Sequence, residues 1–125
     1  MDKEQALHEF WSSFGLTAYD ENTVPDNALT TNGGKYLTYN VATASLDEPV
    51  PLSANLFYRD TSWASVAQKA IEISEAIGRV GKFIDFDGGS LWVVRGTPFA
   101  QRMSDDNDQI RRIYINVTAE FLSAD

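Results

Sequence analysis

The stretch IRRIYINVTAEF, residues 110–121, alternates with a period of two. Ile113, Ile115, Val117, Ala119 and Phe121 point one way; Arg112, Tyr114, Asn116, Thr118 and Glu120 point the other. Successive strand side chains leave opposite faces, so this is a strand with one face on a core and one face wetter. Such a sheet needs partner strands beside it and helices over its apolar side, and the rest of the chain has to supply them.

Upstream, KFIDF (82–86) and SLWVVR (90–95) flank Asp87-Gly88-Gly89, a hairpin signal. Before them, DTSWASVAQKAIEISEAIGRVG (60–81) reads as a helix with Thr61 or Ser62 as cap. Val66, Ala70, Ile73 and Ile77 line one face, and Gly78 and Gly81 end it. LSANLFYR (52–59) and YLTYNVATAS (36–45) carry strand composition and are expected to pair antiparallel, with the two prolines of LDEPVP (46–51) breaking the chain between them. At the N-terminus Asp2 caps a first helix, with Gln5 three residues on. Leu7, Phe10, Trp11 and Phe14 make its apolar stripe, and Gly15 is its expected stop. Residues 17–34, TAYDENTVPDNALTTNGG, hold Pro25 and Asn32-Gly33-Gly34 and show no period. A loop that long is expected to be functional or mobile. The expectation is an α+β fold in the order α-β-β-α-β-β-β: a mainly antiparallel sheet with two helices on one face, as one domain over 1–125.

Composition bounds the function. The 125 residues are 43% hydrophobic and 12% aromatic, a globular profile. A chain of this size buries roughly 65–70% of its unfolded surface, enough to fold without staples. There is no cysteine, which excludes disulfides and thiolate metal sites and fits a reducing compartment. The N-terminal MDKEQALHEF has no apolar core of the secretory kind, and no apolar run reaches membrane-spanning length, so neither export nor a membrane is expected. The net charge of −8 repels phosphate, which argues against sequence-specific DNA binding but suits a wall past which DNA slides.

The chemistry-bearing residues assemble into no reaction. His8, the single histidine, sits beside the apolar stripe of the first helix with no nucleophile elbow and no cysteine to activate. DFDGG (85–89) and DDNDQI (105–110) look faintly like calcium loops, but the second puts Ile110 where glycine belongs and the first sits in a hairpin. A pair of carboxylates for glycoside cleavage needs a cleft that a small sheet with two short helices does not offer. Gly33-Gly34 and Gly88-Gly89 are turn glycines, and Asn116-Val117-Thr118 lies inside a strand. Trp92, beside Val93 and Val94, is expected in the core.

What remains is exposed. RGTPFAQRMSDDNDQIRRIYINVTAEF (95–121) reads as a strand end, a loop of mixed charge and the long strand. Arg95, Phe99, Gln101, Arg102 and Met103, then Asp105, Asp106 and Asp108, form a candidate contact surface, since Arg and Met favour interface cores and the acids suit a basic neighbour. Arg111 and Arg112 are adjacent, so they face opposite sides, and at most one of them serves each side. Tyr19, Asp20 and Glu21 in the long N-terminal segment are a second candidate contact.

Together, FWSSFGLTAYDENTVPDNA, YLTYNV, LSANLFYRDTSW and above all GGSLWVVRGTPFAQRMSDDNDQIRRIYINVTAEF resemble a group of small structural proteins of long-tailed bacteriophages, mostly of Gram-positive hosts. These are described as tail terminator, tail-completion, head–tail joining or minor capsid proteins. The resemblance runs from about Phe10 to Phe121. It implies a virion protein assembled in the host cytoplasm: a six-membered ring of this chain at the head-proximal end of the tail tube. Such a ring stops tube polymerisation and offers the surface on which the head docks. It also implies the major tail tube protein and a head–tail connector or stopper as partners, DNA passing through the lumen, and neither catalysis nor cofactor. A head-side adaptor or stopper is the nearest alternative, and a small hydrolase a more distant one.

Overall fold

The computed structural model describes residues 1–41 and 49–123. Nine elements follow in order: α1 Lys3–Ser12, β1 Ala18–Asp20, α2 Ala28–Thr31, β2 Lys35–Tyr39, β3 Pro49–Arg59, α3 Ala64–Ile77, β4 Lys82–Phe86, β5 Gly89–Met103 and β6 Ile110–Ser123. The strands form one six-stranded sheet in the order β1-β2-β3-β6-β5-β4. Only the β1–β2 pair is parallel. The α+β class and the mainly antiparallel sheet therefore stand, with β1 and α2 added inside the segment read as an aperiodic loop.

The alternation of β6 sets the layers. Ile113, Ile115, Val117, Ala119 and Phe121 are buried, while Arg112, Tyr114, Asn116, Thr118 and Glu120 stay partly exposed. Leu52, Ala54 and Leu56 of β3 lie opposite Val117, Ile115 and Ile113, and Leu91 and Val93 of β5 opposite Phe121 and Ala119. Onto this face pack Leu7, Phe10, Trp11 and Phe14 of the α1 region and Val66, Ala70, Ile73 and Ile77 of α3, in one hydrophobic cluster. Each leucine, isoleucine, valine and phenylalanine among them contributes roughly 1.5–3 kcal/mol when fully buried. The rings of Phe10, Trp11 and Phe14 meet edge-on, at centroid separations of 4.8 to 6.4 Å. Lys69 Nζ ties the two helices by donating to the Phe14 carbonyl at 2.8 Å.

The capping box of α1 is present: Asp2 Oδ1 accepts from Gln5 N–H and Gln5 Oε1 from Asp2 N–H, both at 2.8 Å. The helix ends at Ser12, and Gly15 follows with φ 82°. At α3 the N-cap is Trp63, one or two residues beyond the expected caps, and the Ser62 hydroxyl accepts from Ala64 N–H at 3.1 Å. Gly78 closes α3 with φ 72°.

Three expectations about boundaries change. First, the strand read over 36–45 ends at Tyr39, and residues 42–48 of that reading and of LDEPVP lie outside the described residues. Second, the prolines do not break β3: Pro49 and Pro51 pair with Glu120 and Thr118. Ser53 N–H points to the β2 side, where it meets Asn40 Oδ1 at 2.6 Å, and Pro49 and Pro51 share its parity. Their missing N–H groups therefore point away from β6, and the β3–β6 ladder loses no donor. Third, β5 does not stop at Arg95. It leaves the β6 ladder between Arg95 and Ala100 and rejoins it to Met103, so only residues 104–109 form the loop. Four residues, 96–99, span what Asn116 alone spans on β6, and Asn116 Nδ2 donates to the Pro98 carbonyl at 3.1 Å. Gly96 permits this, since a Cβ there would lie 2.9 Å from the Asn116 carbonyl oxygen.

Because β1 and β2 are parallel, the chain must cross back between them. Tyr19 and Thr38 lie on the face opposite the long helices, given that Ala18 and Leu37 are in the core. Asn32 Nδ2 donates to Tyr19 Oη at 2.8 Å, and Thr38 is buried. The crossover with α2 thus returns over that outer face at its β1–β2 end.

Candidate functional site

The end of the β5–β6 hairpin gathers most of the exposed residues singled out in the sequence and divides them between two sides. On the helix side, Arg102 and Arg111 both reach Trp63, their guanidinium carbons 4.9 and 5.6 Å from its ring centroid. Arg111 is held tightly: Nη1 donates to the carbonyl of Asp108 at 2.9 Å and Nη2 to that of Thr61 at 2.9 Å, pinning loop 104–109 to the entry of α3. Its Nε is buried without a partner among the described residues. Arg102, exposed, makes no hydrogen bond or ion pair with the described residues. It is a cation oriented by an indole face, with its donors free.

On the outer side, Tyr36, Phe57, Arg112 and Met103 stand in one row across β2, β3, β6 and β5. Tyr36 stacks on Phe57 at 4.9 Å, Tyr19 meets Tyr36 edge-on at 5.9 Å, and the Arg112 guanidinium lies 5.7 Å from the Phe57 ring centroid. Arg112 Nε donates to Asn55 Oδ1 at 2.8 Å, which fixes the guanidinium over the ring. The next row holds Tyr19, Thr38, Asn55, Tyr114 and Gln101. The adjacent arginines do face opposite sides, as their spacing requires. Burial holds the Tyr36 hydroxyl above the ordinary tyrosine pKa, and the nearby Asp105 carboxylate adds to this. Asp105 Oδ1 accepts from Asn107 N–H and Asn107 Oδ1 from Gln109 N–H, so the loop folds on its own side chains. Asp106 and Asp108 are exposed beside it. Among the described residues no three His, Cys, Asp or Glu side chains are grouped to hold a metal.

The other candidates lie elsewhere. Arg95 Nη1 donates to Ser74 Oγ on α3 at 2.9 Å, and Phe99 packs half-buried against the core margin. Tyr19, Asp20 and Glu21 lie on or just past β1, at the opposite edge of the sheet from β5. Asp20 Oδ1 accepts from Asn22 N–H at 2.9 Å, which leaves Oδ2 open. Trp92 is not in the core: it stacks on Phe83 at 5.7 Å on the outer face, and its Nε1 donates to the Val80 carbonyl. Around it Val80 and Phe83 are 79% and 60% exposed. Sequence reading missed Trp63, Phe57 and Tyr36. The outward parity of Tyr36 and Phe57 was available once their strands were paired. Nothing local marks Trp63, which meets Arg102 and Arg111 only through the fold.

His8 sits on the flank of α1, its Nδ1 2.9 Å from Tyr39 Oη and its Nε2 3.2 Å from Ser12 Oγ. His8 and Tyr39 line an open surface depression of about 680 Å³, together with Glu4 and Glu9. Burial raises the Tyr39 hydroxyl above its ordinary pKa, with Asp20 and Glu4 adding.

No protein-family model matches the chain, and no curated protein matches it. Its fold is similar to that of a solved chain from the virion of a native gene transfer agent particle: TM-score 0.66, 18% identity, over 95% of this chain and 93% of that one. A second solved chain is similar over 98% of this chain and 94% of its own, with TM-score 0.65 and 17% identity. At these identities the likeness is one of fold, and it runs end to end in both cases.

Proposed function

We propose that this chain is a structural protein of a tailed phage or phage-like virion, and that six copies form a ring at the head-proximal end of the tail tube. The ring ends tube polymerisation and presents the surface on which the head docks. The observation that carries this reading is the whole-chain likeness, over 95% of this chain, to a component of a gene transfer agent virion. Fold alone does not assign function, so the reading also leans on the sequence resemblance to tail terminators. It leans too on a surface organised for contact: oriented arginines on aromatic faces and no ion pair to any arginine among the described residues. Its partners are other copies of itself, the major tail tube protein and the head–tail connector or stopper. DNA passes the acidic wall, at net charge −8, without being gripped.

Electron microscopy of particles carrying a labelled copy tests the proposal. Six-fold density between tail tube and head is the expected result. Label on tail-less heads alone assigns the chain to the head-side adaptor or stopper instead, and particles without the label overturn both. The His8–Ser12 pair is the one arrangement that a hydrolase reading has in its favour. A panel of activated esters, hydrolysed by the native chain and not by His8→Ala, would establish it in place of the structural reading.

A further inference from the structure

Among the described residues the sheet has two edges at one level with no strand beside them, and their side chains are complementary. β4 pairs with β5 only from Gly89 to Val93. From Ala100 to Met103, β5 pairs with β6 alone, and all four residues are exposed. At the other edge β1 pairs with β2 alone. An open edge is a template for another strand, which proteins either blunt or use. The β5 edge carries the oriented, unpaired Arg102 and the side chain of Met103; the β1 edge carries Asp20, Glu21 and Tyr19.

We propose that this half of β5 receives β1 of a second copy, so that the sheets of neighbouring copies join edge to edge. The occupant is argued from charge and parity together. Asp20 lies on the helix side of its edge, in register with Tyr39, and Arg102 on the helix side of the other, in register with Ile113. Tyr19 and Met103 both lie on the outer side. An acid thus meets a cation on one face while a tyrosine meets a thioether on the other, each a favourable cross-strand pair. Direction agrees as well. β1 runs with β2, against β3, with β6 and against β5. A copy related by rotation about an axis along the strands therefore offers β1 antiparallel to β5. Putting Asp20 opposite Arg102, rather than opposite the level Ala100, staggers each copy along the edge, as closure of a sheet with tilted strands requires. The contact joins two different patches and so propagates head to tail into a ring. It rests on the ring-forming part of the proposed function.

The chain has no cysteine, so disulfide trapping has no background. In the proposed register Glu21 lies opposite Gln101; both are exposed and on one face. The double variant Glu21→Cys/Gln101→Cys, oxidised as the purified full-length chain, is expected to give a ladder of linked species up to the hexamer. Each single variant stops at the dimer. Glu21→Cys/Arg102→Cys, whose thiols leave opposite faces, is expected to give at least tenfold less. Circular dichroism of each variant verifies folding, and Arg102→Glu added to the first pair should suppress the ladder at least tenfold. Folded protein with no species above dimer, or a ladder that Arg102→Glu leaves unchanged, overturns the edge contact. Six-fold rings on tails without the crosslink would keep the proposed function and reject this contact. A ladder in a protein that never joins a tail or head would do the reverse.

Discussion

The two halves of β5 share one strand and one partner, β6, yet behave oppositely. From Gly89 to Val93 the strand lies between β4 and β6, and Leu91 and Val93 are fully buried under the helices. From Ala100 to Met103 it has β6 on one side and, among the described residues, no strand on the other, and every side chain is exposed. In the first half apolar burial fixes the strand. In the second, the ladder to β6 and the stacking of Arg102 on Trp63 hold it, and the latter is worth only about 0.5–1 kcal/mol at an exposed site. The excursion at 96–99 separates the two regimes. One half stabilises the fold, while the other spends its side chains on solvent and leaves them available to a neighbour.

That contrast can be broken in order of effect. Phe121→Ala, opposite Leu91, removes a fully buried ring and should destabilise by about 3–5 kcal/mol in denaturant titration. A loss below about 1 kcal/mol would mean that the first half is not core. Gly81→Ala strikes the entrance to β4: the residue has φ 95°, and an added Cβ would lie 2.5 Å from Trp92 Nε1 and 2.7 Å from the Val93 carbonyl oxygen. It should cost about 1–3 kcal/mol and shift Trp92 fluorescence as the bond to Val80 gives way.

A third test uses pH. Burial pushes the Tyr58 hydroxyl up to about 12, with the Glu72 charge adding. The native state keeps this proton where the unfolded chain, near 10, has released it, so the contribution is complete below pH 10 and is lost as pH rises through about 12. Stability should therefore fall across that window, and Tyr58→Phe should flatten the fall. An equally steep decline in the variant would place the alkaline sensitivity elsewhere. The smallest effect belongs to the second half of β5. Arg102→Ala should change folding stability by no more than about 1 kcal/mol, because the group is exposed and unpaired. A loss above about 2 kcal/mol would make Arg102 a structural clamp and remove the contrast.

Much of the fold was legible in local pattern. The period of two in β6 chose its core face, the spacing of Val66, Ala70, Ile73 and Ile77 chose that of α3, and Asp2 with Gln5 announced α1. The same alternation separated Arg111 from Arg112. Legibility failed where a partner distant in sequence overrides the local signal. Pro49 and Pro51 look like breakers until the ladder shows that their missing donors point away from β6. Gly96 to Phe99 look like a loop because the strand's return to β6 depends on Asn116. Three-residue β1 has too few positions to show a period at all.

The candidate surface divides the same way. Its residue types were visible in sequence, since arginine, methionine and acids in an unpatterned stretch are not core. Their grouping was not. Trp63 joins Arg102 and Arg111 across tens of residues, and Tyr36, Phe57 and Arg112 form a row only because β6 inserts between β3 and β5. The sequence by itself determined which residues of β6 and α3 face the core, because side-chain periodicity is a local property of a regular backbone long enough to show it. Only the tertiary structure decided which strands are neighbours, where β4 stops along β5 and hence which edge is open. Those are matters of long-range pairing, set by how the whole apolar surface is buried at once.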